Sequence, residues 1–131
     1  EKAMSEFFRD LKPGGRMILS TRFIFPLHDA PGDYFRYTKY GLKHLFRNFD
    51  IEEIREETNT IEAMAVLYQR IGFQCDTLWL KPFKLLWFVK AKLMLLLKKV
   101  LTKEYGDIRH QNQEHNILSS GYFVAAKKPK N

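Results

Sequence analysis

Between residues 4 and 21 the hydrophobic period changes abruptly, and that change confines the chain to one broad class of fold. Met4, Phe7, Phe8 and Leu11 recur at helical spacing with Glu6, Arg9 and Asp10 between them, the pattern of an amphipathic helix. Lys12-Pro13-Gly14-Gly15 stops it, because proline removes a backbone donor and glycine has no helical preference. Arg16-Met17-Ile18-Leu19-Ser20-Thr21 follows at once, an apolar run too short for a helix, and reads as a buried strand. Helix, tight turn and strand are half of an α/β unit, so the strand has to be buried in a sheet covered by helices.

The rest of the chain fits that class. Arg22 to Tyr37 is aromatic and turn-rich, with Pro26, Pro31 and Gly32 breaking regular structure. It is long for a connection inside a compact domain, and long ordered loops tend to be functional. Thr38 can cap a helix that carries Leu42, Leu45, Phe46 and Phe49 on one side and ends near Asn48. Ile51 to Thr58 reads as a solvent-edged strand, and Ile61 to Ile71 as a helix ending at Gly72. Thr102 to Ser119 is polar and loop-like, and Gly121 to Ala126 is a closing strand before the basic tail Lys127-Lys128-Pro129-Lys130.

Leu78 to Leu101 is the most apolar segment, but Lys81, Lys84, Lys90, Lys92, Lys98 and Lys99 interrupt it. No lysine-free run approaches the roughly 20 residues needed to span a bilayer. On a helical wheel five of these lysines share a sector that Lys90 opposes, and leucine covers most of the remaining circumference. Such a helix is expected to bury much of its surface against its own domain, a second copy or an anionic membrane; Trp79 and Trp87 beside lysines suit the headgroup region.

At 131 residues, 45% of them hydrophobic, one folded domain is expected. Cys75 is the single cysteine, which rules out an internal disulfide; with no CxxC pair and no cleavable apolar leader, a cytoplasmic setting is expected, peripheral to the membrane if the lysine-rich helix binds lipid. The chain opens on Glu1 and not on Met, so a preceding segment is expected. The net charge of +7 is uneven: Glu1 to Thr77 carries 11 basic and 12 acidic residues, Leu78 to Asn131 carries 11 basic and 3 acidic. That asymmetry points the C-terminal part toward an anionic partner. Nucleic acid is disfavoured as that partner, because the aromatics are embedded in leucine and match no known binding module.

Three stretches carry a resemblance. Phe7 to Leu19, FFRDLKPGGRMIL, resembles the helix, turn and fifth strand of class I S-adenosylmethionine-dependent methyltransferases, of the methyltransferase type 11 kind. Tyr122 to Pro129, YFVAAKKP, resembles the antiparallel seventh strand that closes their sheet. Phe25 to Leu42, FPLHDAPGDYFRYTKYGL, resembles a bacterial subgroup in which Pro-x-His-(Asp/Glu)-Ala-Pro leads into Asp-Tyr-(aromatic)-Arg-(aromatic)-Thr. The likeness covers both ends and the first third of the chain, and Ile61 to Ser119 only weakly. It implies a partial Rossmann-like sheet of strands five, six and seven, the last antiparallel, in one domain over 1–131 with a variable helical insertion over 61–119.

The family's cofactor cradle, a Gly-x-Gly turn after the first strand and an acidic residue after the second, has no counterpart here. The resemblance therefore implies the substrate-side half of an enzyme that uses S-adenosylmethionine, methylates a small or lipid-linked acceptor, and is inactive as this chain alone. It also implies that the strand Arg16 to Thr21 lacks its neighbour strand four, so that self-association along that edge is expected, as a dimer or swapped assembly. The rival expectation is a non-catalytic binding or assembly module whose basic helix contacts an anionic ligand or membrane.

The chemistry-bearing residues lie on the loop after the first strand, where α/β sheets place ligands. His28, Asp29, Asp33, Tyr34, Arg36 and Tyr37 are the candidate substrate-binding residues, and His28 is the candidate catalytic base that would take the proton leaving an oxygen or nitrogen acceptor. The bland alternative is that Asp33 pairs with Arg36 and the tyrosines pack. Asp107, His110, Glu114 and His115 lack metal-motif spacing and a cysteine, so no metal site is expected there.

Overall fold

A computed structural model describes residues 1–76 and 82–130. In chain order its elements are α1 (Lys2–Asp10), β1 (Arg16–Arg22), α2 (Lys39–Leu45), β2 (Asp50–Glu56), α3 (Thr60–Gln74), α4 (Pro82–Leu96), β3 (Glu104–Tyr105), β4 (Gln113–Glu114) and β5 (Gly121–Lys127). Trp79 and Lys81 of the apolar segment lie outside the described residues. The chain divides into two compact units: Glu1–Phe23, Tyr34–Glu57 and Gly121–Asn131 form the first, Ile24–Asp33 and Thr58–Ser120 the second.

The first unit is a three-stranded sheet in the order β1-β5-β2. The last strand of the chain lies in the middle and runs antiparallel to both neighbours, Ile18 opposite Ala125 and Ile54 opposite Val124. Side chains alternate across a strand, so Met17 and Leu19 of β1 and Tyr122, Val124 and Ala126 of β5 share one face. That face packs on Met4 and Phe8 of α1, Leu42 of α2 and Phe46 just beyond it. Leu42, Phe46 and Val124 are completely buried, each contributing roughly 1.5–3 kcal/mol. Thr38 caps α2 as its position promised, accepting from the Gly41 amide at 3.0 Å. The basic tail is anchored: Lys128 Nζ donates to the Phe8 and Leu11 carbonyls at 2.6 and 2.8 Å, where α1 leaves its last acceptors open.

On the opposite face of the sheet, Arg22 of β1, Gly121 of β5 and Glu57 just beyond β2 form a row. Arg22 Nη1 donates to Glu57 Oε2 at 2.6 Å across the central strand, and Ser20 Oγ donates to Glu57 Oε1 at 3.0 Å. The ion pair can cross because position 121 has no side chain. A Cβ there would lie 2.4 Å from the Thr21 carbonyl and 2.8 Å from Glu57 Oε2.

The other edge of β1 pairs with no strand among the described residues. At its end the Tyr37 amide donates to the Arg22 carbonyl at 3.3 Å, so the loop returns to this edge only there. Ile18 stands 68% exposed beside it. A mainly apolar cavity of about 420 Å³ runs along the same edge, lined by Phe7, Leu11, Met17, Ile18 and Leu19 with Asp10 and Arg16 at its rim.

In the second unit α3 and α4 pack together. Asn59 and Glu62 form a capping box at the start of α3: Asn59 Oδ1 accepts from the Glu62 amide at 2.8 Å and Glu62 Oε2 from the Asn59 amide at 3.1 Å. The helix does not stop at Gly72, as expected from sequence, but runs on to Gln74. Gly72 is used for close approach, since a Cβ there would meet the Phe88 ring at 2.9 Å. Tyr68 stacks on Trp87 at 5.9 Å and Phe73 meets Phe88 edge-on at 4.9 Å. The stretch read as a polar loop contains the small hairpin β3-β4, tied to α3 where Thr60 and the Ile117 amide both donate to Glu104 Oε2. Among the described residues no helix is long and apolar enough to cross a membrane.

Candidate functional site

β1 delivers the chain into Ile24–Asp33, a loop held by a tight turn in which the Gly32 amide donates to the Asp29 carbonyl at 2.8 Å. Asp29 takes the left-handed backbone, φ +51°, which aspartate tolerates better than most residues. This turn folds Asp33 back onto His28. Asp33 Oδ2 accepts from the His28 amide at 3.3 Å and lies 3.6 Å from His28 Nδ1; Asp29 Oδ2 is 4.0 Å from the same nitrogen. The Asp33 side chain is only 7% exposed, whereas that of His28 is 35% exposed, so a buried carboxylate stands behind an imidazole that still reaches solvent.

The Nδ1 to Asp33 distance is beyond hydrogen-bond length, and among the described residues His28 Nδ1 is buried without a hydrogen-bond partner. An imidazole carrying its proton on Nδ1, toward the carboxylate, would keep its Nε2 lone pair for a substrate, which is the arrangement of a general base with an orienting acid behind it. Phe25 lies against the imidazole at 5.4 Å, and the Arg70 guanidinium sits over the Phe25 ring, 4.9 Å from its centroid. Arg70 was not legible as a site residue, because 42 positions of sequence separate it from His28 and only the packing of α3 brings it near Phe25.

The six candidate residues thus divide between the units. His28, Asp29 and Asp33 come together in the second. Tyr34, Arg36 and Tyr37 belong to the first, where Tyr34 is exposed, Arg36 is half-buried, and Tyr37 packs against the sheet core and stacks on Phe35 at 6.2 Å. The Tyr37 ring thus does packing work of the kind the bland alternative assigned to the tyrosines.

Asp107, His110 and Glu114 have local duties. Asp107 accepts from the Gln111 amide at 3.0 Å, His110 packs edge-on against Tyr105 at 4.5 Å, and Glu114 accepts from Asn112 at 3.3 Å. Among the described residues no three His, Cys, Asp or Glu side chains are grouped to hold a metal ion.

Among the described residues the one glycine pair does not face a ligand, because it spends its amides on the turn into β1: Gly14 donates to the Lys128 carbonyl at 3.0 Å and Gly15 to the Lys12 carbonyl at 2.8 Å. Comparison of the chain with protein-family models, with curated proteins and with solved structures gave no match.

Proposed function

We propose that this chain is the acceptor-side part of a methyltransferase, and that His28, oriented by Asp33, removes the proton from the acceptor's oxygen or nitrogen. The observation that carries the reading is the buried Asp33 carboxylate behind the half-exposed imidazole, on the loop that leaves β1. Support from the sheet is that β5 runs antiparallel to both strands it joins, the direction the resemblance implied for a closing strand. A lone pair in line with a methyl group is a sufficient nucleophile once its proton has somewhere to go, and a positioned base typically contributes 10²–10⁴-fold. The methyl donor is S-adenosylmethionine, held by residues outside those described here, and the acceptor is a small or lipid-linked molecule. The same reading assigns the unpaired edge of β1 to a second copy of the chain. Arg16 and Arg22 at the ends of that strand already have carboxylate partners in Glu52 and Glu57, so an approaching strand meets no uncompensated charge.

Incorporation of tritiated methyl groups by the intact protein that contains this chain tests the assignment. His28→Ala lowers turnover by about 10²-fold or more, and Asp33→Asn lowers it less, through the orientation of the ring. Full turnover by His28→Ala would contradict the role of the imidazole, and no incorporation by the wild-type protein would leave the non-catalytic module as the better account.

A further inference from the structure

Leucine-rich helices normally turn their leucines inward, and α4 does the reverse. The side toward α3 is made of Ala91, Trp87 and Phe88, with Ala91 fully buried. Lys84 and Lys98 are ion-paired to Asp76 and Glu62 at 3.3 and 3.1 Å. The opposite side carries Leu85, Val89, Leu93 and Leu96, between 53% and 74% exposed. Past Leu96 the chain continues in tighter turns, the Leu97 amide donating to the Met94 carbonyl and the Val100 amide to the Leu97 carbonyl, and Val100 stays 72% exposed. At 100° per residue the four helical positions fall within a sector of roughly 80°, a stripe about 17 Å long. An apolar stripe of this extent on a surface marks a binding face.

We propose that this face lies on an anionic lipid bilayer, with the stripe dipped into the headgroup boundary. The charge around it selects that occupant. On the helical wheel Lys92 borders one side of the stripe and Lys90 lies beyond the other, its ammonium 4.8 Å from the Trp87 ring centroid; Lys99 follows in the turns after the helix, and among the described residues Lys92 and Lys99 make no ion pair. The sequence has no Asp or Glu between Asp76 and Glu104. Apolar residues in the centre with ammonium groups along both rims match a membrane surface, acyl chains below and phosphates at the level of the lysines. A second copy laid along the stripe would bring like charges together on both rims, and a nucleic acid would need the cations in the centre. The inference is independent of the methyltransferase reading.

Flotation of the full chain with vesicles is the test. The protein is expected to float with phosphatidylcholine vesicles containing phosphatidylserine and to stay behind with phosphatidylcholine alone, with binding falling as salt is raised. Val89→Glu with Leu93→Glu abolishes flotation, and Lys92→Glu with Lys99→Glu lowers the bound fraction about tenfold or more. Ile108→Glu, an exposed position of the same unit away from the stripe, leaves it unchanged. Circular dichroism confirms that each variant is folded, which exposed positions allow. Failure to float with anionic vesicles, equal flotation with neutral ones, or undiminished binding by the Val89→Glu, Leu93→Glu variant would each overturn the proposal. So would concentration-dependent dimerisation that Leu93→Glu abolishes, which would give the stripe to a second copy.

Discussion

Alanine at position 121 has no room for its methyl group, since the nearest obstacle is the Thr21 carbonyl of a paired strand and cannot swing aside. Gly121→Ala is therefore expected to cost about 1–3 kcal/mol, as overpacking does, read as a lower urea midpoint at unchanged m-value. Nothing in the local sequence marks this glycine, because its duty depends on the register that places Arg22 and Glu57 on either side of it. At Glu62 the reverse holds: Asn59-x-x-Glu62 is a capping signature written in the sequence. The Asn59 amide, and then Lys98, hold the Glu62 carboxyl below the usual carboxylate range. A depressed folded-state pKa contributes stability that is present above the ordinary glutamate value and lost as pH falls through the depressed one. Thermal melting followed from neutral pH into that acidic window is expected to show a loss in the wild type that Glu62→Gln lacks. Asn59→Ala, which removes the cap itself, costs about 1 kcal/mol.

Among the elements, those with a clean period and a stop signal were legible: α1 before its Pro-Gly-Gly turn, β1 after it, α2 behind Thr38, and the closing strand. Two of them depart from expectation in detail: β1 is an edge strand with no buried residue and not the buried strand its apolar run suggested, and α2 stops at Leu45, so Phe46 and Phe49 follow it in the turn before β2. The hairpin β3-β4 was not, because two-residue strands among polar residues carry no periodicity and are held by Glu104 contacts from distant positions. The length of α3 was misjudged because a glycine near a helix end resembles a stop, while here it admits the Phe88 ring. Of the three surfaces against which α4 was expected to bury itself, its own unit covers Ala91 and the aromatics, while Leu85, Leu93 and Leu96 stay exposed. The edge of β1 yields the prediction proper to this scale. An unpaired strand with Ile18 exposed beside an apolar cavity recruits a partner. Light scattering of the purified chain is expected to give a dimer that Ile18→Lys converts to monomer. A monomeric wild type at high concentration would refute the pairing.

Taken as a whole, the chain holds a sheet unit whose core was readable from its apolar pattern and a helical unit whose α4 leaves much of its apolar surface exposed. The sequence located His28 and Asp33 on one loop but not the fold of that loop, which sets the carboxylate behind the imidazole, nor the split that leaves Tyr34, Arg36 and Tyr37 in the sheet unit. The central claim is that these residues serve the acceptor side of a methyltransferase whose donor-binding residues are encoded elsewhere. Sequencing the native reading frame upstream of the codon for Glu1 tests it most directly. The account predicts an open frame encoding a strand, a Gly-x-Gly turn, a helix and a later acidic residue at the end of a second strand. A stop codon immediately upstream, or an open frame without that glycine turn, would contradict it.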